Sequence, residues 1–378
     1  MIAWHRMRVL FAPDKFKGSL TALEAAAAMA RGWRAVWPEA EAVVRPVADG
    51  GDGSLEVLQA ALGGEWKSCT ARDARARPRE VPWLWQPGTR TAWIETARVV
   101  GLAELAEEDR DPLSATSAGV GDVLQAAISE GARQVFVCLG GVATNDAGCG
   151  MAEALGARFL DDSGRAIDPL PRALLRVARM QSVSVKAKII GLTDVTNPLL
   201  GPEGASRVFG PQKGATPEEV GRLDEILRHV VNVAQRNLGA PDPMTPGAGA
   251  AGGLGYGLLA FAGGKLAPGF ETIANCTDLS AAISSCDLVV TGEGRLDEQT
   301  SAGKAPAGVA KLARQHGKPV IALVGSVPDS SIDTNLFDAV VPIQRGSCDI
   351  REAMRNAAQL LEQSAATVAR LGGQLPHQ

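Results

Sequence analysis

Residues 287–297 read DLVVTGEGRLD, and this stretch carries the pattern that decides the fold. The apolar residues at its start predict a buried strand, which glycines and charged side chains follow at once. Glu293, Arg295 and Asp297 supply charges of both signs, and the glycines let the backbone approach a ligand closely. Open α/β sheets bind ligands at the carboxyl ends of their parallel strands. The segment therefore predicts a parallel sheet with a ligand site at the end of this strand.

The size and charge of the chain exclude several classes of protein. Its 378 residues exceed the usual limit for one hydrophobic core, so two domains are expected. A net charge of −4 argues against nucleic acid or an anionic membrane as the main partner. The N-terminus lacks the apolar core of a signal peptide, and no apolar run approaches the ~18 residues that span a bilayer. The six cysteines show no metal-binding spacing, which indicates free thiols in a reducing cytoplasm.

Strands and helices alternate at both ends of the chain. Residues 8–12 and 43–48 predict strands, and a Thr21-x-x-Glu24 capping box opens the helix between them. Such alternation is the sequence sign of parallel βαβ units. The other predicted elements are helices at 23–36, 55–62, 120–130, 218–237, 256–261, 307–316 and 350–371, and strands at 135–139, 187–192, 288–291, 320–324 and 339–343.

The middle of the chain has a different texture. Residues 69–97 are rich in Arg, Pro and Trp and predict short antiparallel strands. The two ends resemble each other more than either resembles the middle. We therefore predict an α/β fold with two domains: a discontinuous βα domain formed by residues 1–68 and 281–378, and a second α/β domain inserted at 69–280.

Charged residues follow the first two predicted strands. After the first strand, Lys15 and Lys17 can reach a phosphate or carboxylate, and Ser19 can donate to the same anion. The alternative is an ordinary capped turn with solvated lysines. After the second strand, Asp49 and Asp52 lie among three glycines and can bind Mg²⁺ or accept hydrogen bonds from hydroxyl groups. An Asp/Gly-rich turn without a ligand is equally compatible with this sequence.

Two strands of the middle region also end in polar residues. Asn145 and Asp146, in the glycine-rich segment 140–148, suit a small hydroxylated ligand. Asp194 follows the next strand, where a carboxylate can orient or deprotonate an attacking hydroxyl. The alternative for Asp194 is an Asx turn that leads to Asn197-Pro198.

Two further glycine-containing segments can contact phosphate. Residues 209–215 contain one cation, Lys213, and the segment 247–255 places Gly252 and Gly253 before an apolar helix. Amide groups at such a helix start can bind phosphate, although small residues also allow close helix packing. No Walker A pattern occurs. Because five or more strand ends carry glycine with polar side chains, the residues alone predict a two-domain α/β enzyme that handles phosphate.

Seven motifs, in this order, resemble the bacterial glycerate kinase family (type I, glycerate 2-kinase). The motifs are APDKFKGSLTA (12–22), ADGGDGS (48–54), GGVATNDAG (140–148), DVTNPLLG (194–201), VFGPQKGA (208–215), GAGAAGGLG (247–255) and TGEGRLDEQTSAGK (291–304). The resemblance implies an enzyme that phosphorylates D-glycerate with ATP and Mg²⁺, generally to 2-phosphoglycerate. It also implies a Rossmann-like or flavodoxin-like parallel-sheet domain interrupted by the inserted domain, with the active site in the cleft between them.

The resemblance and the strand-end positions together suggest a role for each candidate residue. Asp194 and Lys17 are the predicted catalytic residues. The predicted substrate-binding residues are Asp14, Ser19, Asp49, Asn145 and Asp146. The predicted ATP- or phosphate-binding residues are Lys213, Gly252, Gly253, Arg295 and Lys304. Glu293 and Asp297 are the predicted Mg²⁺ ligands, and a monomer or homodimer is expected.

The chain departs from the family pattern at two positions and leaves two other functions open. The family more often reads GGSATNDGG where this chain has Val142 and Ala147, which puts a ligand contact at Val142 in doubt. A hydroxy-acid dehydrogenase would share this fold class, but it requires a GxGxxG motif after the first strand, where this chain has APDKFKGS. A non-catalytic sugar-acid sensor would bind glycerate without consuming ATP. The sequence leaves open the hydroxyl that is phosphorylated and the identity of the catalytic base.

Overall fold

The structure, a computed structural model, describes residues 6–296, 305–327, 336–344 and 349–372. The chain divides into two compact units. Unit 1 takes its described residues from Met1–Asp49, Glu56–Leu62 and Phe270–Gln378, and unit 2 takes its residues from Gly50–Leu55 and Gly63–Gly269. In the described part of the chain, no helix has both the length and the apolar character needed to cross a bilayer.

The described residues form strands and helices that alternate along much of the chain. The strands are β1 (Arg8–Phe11), β2 (Glu41–Val44), β3 (Glu65–Arg72), β4 (Pro78–Gln86), β5 (Thr91–Glu95), β6 (Gln134–Cys138), β7 (Arg158–Leu160), β8 (Arg179–Gln181), β9 (Lys188–Leu192), β10 (Lys265–Ala267), β11 (Leu288–Arg295), β12 (Val320–Ser326) and β13 (Ala339–Pro342). The α-helices are α1 (Ala22–Arg34), α2 (Ser54–Leu62), α3 (Thr96–Val100), α4 (Ala118–Ser129), α5 (Cys149–Leu155), α6 (Pro171–Leu174), α7 (Ala205–Phe209), α8 (Pro217–Leu238), α9 (Ala250–Phe261), α10 (Gly269–Cys276), α11 (Leu279–Ser284), α12 (Ala305–Gln315), α13 (Ile350–Arg355) and α14 (Ala357–Gly372).

Unit 1 is built on a parallel sheet in the order β13-β12-β11-β1-β2. Successive side chains of a strand point to opposite faces, so β1 contributes Val9 and Phe11 to one core and Leu10 to the other. Helices α1 and α14 supply the first core, and α10 to α12 supply the second. Burial on both faces explains the continuous apolar runs of the inner strands, residues 9–11 in β1, 288–290 in β11 and 320–324 in β12.

Unit 2 is built on a mixed sheet in the order β10-β9-β6-β5-β4-β3. Strands β10, β9, β6 and β5 are parallel, and β5, β4 and β3 are antiparallel. Three tryptophans of the antiparallel part are buried: Trp83 meets Trp85 edge to face, and Trp93 stacks on Phe136 at 4.1 Å between ring centroids. The prediction of antiparallel strands at 69–97 is therefore confirmed, as is the α/β class with parallel sheets.

The limits of the two units differ from the domain limits predicted from sequence. Strand β3 crosses position 68, where a boundary was predicted, and it pairs with β4 over its full length. Unit 2 therefore resumes at Gly63. Unit 1 resumes at Phe270 rather than at residue 281, which adds most of α10 and all of α11 to it.

Three predicted elements also change. Strand β11 continues to Arg295, beyond the predicted end at residue 291. The long helix predicted at 350–371 is two helices, because Asn356 leaves the helical conformation at φ −100° and ψ 11°. Helix α9 begins at Ala250, before the predicted start at residue 256.

Candidate active site

Three carboxylates of unit 1 lie close together at the ends of neighbouring strands. Asp14 follows β1, Asp49 lies beyond β2, and Glu293 is inside β11, the other neighbour of β1. Asp14 is 7% exposed, and burial, together with the negative charges of Asp49 and Glu293, raises its pKa to about 7. The positive charge of Lys15 and the hydrogen bond from its amide oppose this rise. The structure thus brings together Asp14 and Asp49, which were predicted to bind substrate, and Glu293, which was predicted to bind Mg²⁺.

The donor chemistry of this cluster suits Mg²⁺. Among the described residues, no group of three or more His, Cys, Asp or Glu side chains forms a ready-made metal site. Mg²⁺ commonly needs only one or two carboxylates, because waters and substrate phosphates complete its octahedral shell. Burial is the main cause of the raised pKa of Asp14, and the nearby charges of Asp49 and Glu293 add to it, so a bound cation would relieve their mutual repulsion. Of the two predicted Mg²⁺ ligands, Glu293 belongs to this cluster, and Asp297 lies outside the described residues.

The predicted anion-binding residues of unit 1 have mixed outcomes. Lys17 and Arg295 are exposed, and a Cβ at Gly294 would lie 3.2 Å from the amide nitrogen of Lys17, so the two segments run side by side. Ser19, by contrast, donates its hydroxyl hydrogen to the carbonyl oxygen of Phe16 at 2.9 Å. In this conformation its hydroxyl hydrogen is engaged within the turn, and the predicted contact of Ser19 with substrate stays a prediction. Lys304 lies outside the described residues.

Asp194 lies just beyond β9 in unit 2, with its side chain partly exposed. Its Oδ1 accepts a hydrogen bond from the amide of Gly269 at 2.7 Å. Gly269 is the first residue of α10, so the carboxylate is tied to a helix start and has a defined orientation. In the same turn, the neighbouring Thr193 side chain accepts a hydrogen bond from the amide of Val195 at 3.3 Å.

Asp146 has a structural role in the segment that follows β6. It is fully buried, and its Oδ2 accepts hydrogen bonds from the Ser117 amide, the Ser117 hydroxyl and the Gly150 amide. Its Oδ1 accepts from the Gly148 amide at 3.0 Å. Burial raises the pKa of Asp146, and these hydrogen bonds oppose the rise. Since protein donors occupy both oxygens, Asp146 shapes the loop instead of offering the predicted contact to substrate.

Asn145 and Lys213 share a buried cluster with Thr144. The Lys213 ammonium, on a side chain only 3% exposed, donates to the carbonyl oxygen of Thr144 at 2.7 Å. Asn145 donates to the Ser206 hydroxyl, while its Oδ1 and the Thr144 hydroxyl are buried without a hydrogen-bond partner in the described part of the chain. Buried polar atoms rarely stay unpaired, so these two oxygens mark a place for water or ligand atoms.

The glycines predicted to bind phosphate instead allow close packing. Ala251, Gly252 and Gly253 have left-handed backbones inside the first turn of α9, so this turn is not a regular helix start. A Cβ at Gly252 would overlap the Thr144 carbonyl oxygen and would lie 2.9 Å from the Lys213 ammonium. The Gly253 amide donates to Gly249, so it is already engaged. Packing against the Thr144 segment is the observed role of Gly252.

Sequence reasoning missed two residues that have buried polar atoms. Glu95, the last residue of β5, is fully buried and bonds to the segment 50–55. The sequence feature that could have identified Glu95 is a carboxylate at the end of an apolar strand, as at the other candidate positions. Arg110 has a buried Nε without a hydrogen-bond partner among the described residues, and a Cβ at Gly214 would lie 2.6 Å from its carbonyl oxygen. No local sequence pattern pointed to Arg110.

The fold places glycine and polar side chains at the ends of parallel strands, where open α/β proteins bind small ligands. The chain matches the family model described as the glycerate kinase family over residues 9–372. A glycerate kinase of Halalkalibacterium halodurans is 40% identical over 96% of this chain and 97% of its own length. The glycerate 2-kinase of Escherichia coli K12 is 39% identical over 93% of this chain and 94% of its own length.

A solved structure is similar over almost the whole chain. The crystal structure described as glycerate kinase 2 from Salmonella typhimurium LT2 has a TM-score of 0.84 and 38% identity, and it covers 98% of this chain and 100% of its own. The protein is therefore an enzyme, a phosphotransferase that acts on an alcohol group. It belongs to the glycerate kinase family.

Proposed function

We propose that this enzyme phosphorylates D-glycerate with ATP and Mg²⁺ and that the product is 2-phosphoglycerate. The observation that carries the proposal is the match over nearly the whole chain to a relative named glycerate 2-kinase. The GxGxxG motif that a hydroxy-acid dehydrogenase requires is absent after the first strand of this chain. A non-catalytic sensor does not need the acidic residues at the strand ends. The five free thiols of the described residues, together with the use of ATP, support a cytoplasmic location.

Asp194 is the residue that we propose to orient or deprotonate the attacking hydroxyl of glycerate. The hydrogen bond from Gly269 fixes one carboxylate oxygen, which limits the orientations that the carboxylate can adopt. Phosphoryl transfer depends mainly on positioning and on charge stabilisation, so a fixed carboxylate suits this step. Asn145, whose Oδ1 is unpaired among the described residues, is proposed to bind substrate from the same unit.

We propose that the carboxylate cluster of unit 1 holds the Mg²⁺ ion and lies where the phosphates of ATP bind. Asp14, Asp49 and Glu293 would bind Mg²⁺ directly or through water, and when bound the ion would neutralise phosphate oxygens. The exposed cations Lys17 and Arg295 can attract the carboxylate of glycerate and the phosphates of ATP. Lys213 is also proposed to contribute positive charge, although its ammonium is bonded to Thr144 in this structure.

Activity of the Asp194→Asn variant tests the proposed role of Asp194. The amide keeps the shape of the side chain but cannot accept a proton, so kcat should fall about 10²-fold or more. ADP release with D-glycerate is the measurement, and Asp242→Asn is the matched control, because Asp242 is also the carboxylate of a loop in unit 2. An Asp194→Asn enzyme with wild-type kcat would remove this residue from the mechanism.

A further inference from the structure

Glu95 is a buried carboxylate that ties a distant loop to the end of β5. Its Oε1 accepts the Gly53 amide at 3.0 Å, and its Oε2 accepts the Leu55 amide at 3.3 Å. The Arg98 guanidinium, 3.4 Å from Oε1, partly balances its charge. A fully buried carboxylate is costly unless it is paired and hydrogen-bonded, so these contacts account for its presence here.

The loop that Glu95 holds, Gly50–Gly53, is named the glycine loop below. Gly50 and Gly53 have φ values of +82° and +86°, and glycine is the residue that reaches such angles without strain. A chain with several glycines has little stiffness of its own, so its position depends on external contacts. The amides of Gly53 and Leu55 donate hydrogen bonds to Glu95, and these bonds supply such contacts at the end of this loop.

The glycine loop packs against the candidate active site of unit 2. A Cβ at Gly50 would lie 3.2 Å from the Cα of Gly269, whose amide binds Asp194, and 3.2 Å from the Cβ of Leu192. A Cβ at Gly140 would lie 3.4 Å from the Cα of Gly51. The loop therefore touches the segments that follow β6 and β9.

Thr96, the next residue in the chain, ties down the neighbouring segment. Its hydroxyl lies 2.9 Å from the carbonyl oxygen of Cys138 and 3.1 Å from that of Gly140, and it accepts from the Gly140 amide at 3.3 Å. Two consecutive side chains at the end of β5 thus hold two loops that touch each other. This arrangement makes the end of β5 a common anchor for both.

We propose that Glu95 is a positioning residue for phosphoryl transfer, which acts by holding the glycine loop against the Asp194 segment. The proposal rests on the proposed function, in which Asp49, next to Gly50, binds substrate or metal. A displacement of about 1 Å at a reacting group can cost 10²-fold in rate, so a loop held by two hydrogen bonds is sensitive to their loss. Glu95 itself is not proposed to touch substrate.

The Glu95→Gln variant tests this proposal. Glutamine has the same shape, but its NH₂ group cannot accept, so one of the two amide hydrogen bonds is lost. We expect kcat/KM for D-glycerate to fall about 10–100-fold and hydrogen exchange at Gly53 and Leu55 to accelerate, with exchange elsewhere unchanged. The control is Glu80→Gln, an exposed carboxylate of β4, which should leave both measurements at wild-type values.

The outcomes separate positioning from a purely structural role. Faster exchange at Gly53 and Leu55 with wild-type kcat/KM would overturn the proposal, and so would unchanged exchange. If Glu95→Gln does not fold, Glu95→Asp keeps the charge but shortens the reach, and a wild-type kcat/KM for that variant would equally overturn it. A wild-type enzyme that does not phosphorylate D-glycerate would instead overturn the proposed function, and this assay precedes the work on the variants.

Discussion

Ala147 adopts a backbone conformation that L-residues rarely occupy. Its φ is +52°, within the buried segment after β6, and the related family motif more often has glycine at this position. Val142, the other departure from the motif, is 3% exposed and belongs to the core of unit 2. The valine side chain therefore packs in the interior at the position where the family motif more often has a serine hydroxyl.

The strain at Ala147 leads to a stability prediction. A left-handed backbone costs an L-residue ~1–2 kcal/mol. Glycine avoids this cost but loses more chain entropy on folding, so Ala147→Gly should stabilise the folded protein by about 0.5–1 kcal/mol. The midpoint of thermal unfolding should rise by a degree or more. Ala152→Gly, in the middle of α5, removes the same methyl group from a helical residue and should lower the midpoint. A lower midpoint for Ala147→Gly would show that no strain is relieved.

The buried ammonium of Lys213 has an electrostatic consequence. Burial lowers its pKa from 10.5 to about 8, and the charge of Asp146 only partly opposes this. Below pH 8 the group is charged in both the folded and the unfolded chain, so its burial costs stability. Between pH 8 and 10.5 only the unfolded chain keeps the proton, so rising pH favours the folded state.

Replacement of Lys213 by Met should remove this pH dependence. The free energy of unfolding of the wild type, minus that of Lys213→Met, should rise between pH 8 and 10 by on the order of 2 kcal/mol. Urea unfolding at several pH values measures the difference. Lys265→Met is the control for the loss of an exposed lysine. A difference that stays flat or falls over this range would mean that the folded state keeps the Lys213 proton.

At the scale of elements, glycine decides how closely two helices of unit 1 approach. Gly32 of α1 faces α14, where a Cβ would overlap the carbonyl oxygen of Glu362. Ala28 and Ala25, one and two turns before Gly32 on the same face of α1, are fully buried. Backbone-to-backbone contact of this kind tolerates no added atom without a helix shift.

Gly32→Ala should therefore destabilise unit 1 although alanine is the better helix former. Overpacking of this size costs about 1–3 kcal/mol, which exceeds the ~1 kcal/mol gained in helix propensity. Gly221→Ala is the matched control, because Gly221 lies in the helix α8 with no atom within 4 Å of its Cβ position. Thermal unfolding should move in opposite directions for the two variants, and a stabilised Gly32→Ala would disprove the close contact.

Elements with local signals could be predicted from the sequence, and contacts between distant segments could not. The Thr21–Glu24 capping box forms as expected, because both partners lie within one turn. The bond between Gly53 and Glu95 joins residues 42 positions apart, and no local pattern reports it. Asp146 shows the same limit, since two of the four hydrogen bonds to its carboxylate come from Ser117, 29 positions away.

At the scale of the whole molecule, both units use the same arrangement of chemistry. In unit 1 Asp14 follows a parallel strand, and in unit 2 Asp194 does the same. Both residues therefore lie where open α/β sheets bind their ligands. Sequence reasoning found these positions because glycine and carboxylates follow apolar strands, whereas the hydrogen bonds of Ser19 and Asp146 emerged only from the fold.

The reaction product tests the central claim most directly. The purified enzyme would be incubated with ATP, Mg²⁺ and D-glycerate, and the products followed by ³¹P NMR. The account predicts ADP together with the resonance of 2-phosphoglycerate. A 3-phosphoglycerate resonance would contradict the proposed site of phosphorylation, and ATP left unconsumed while glycerate binds would contradict the assignment of the enzyme as a glycerate kinase.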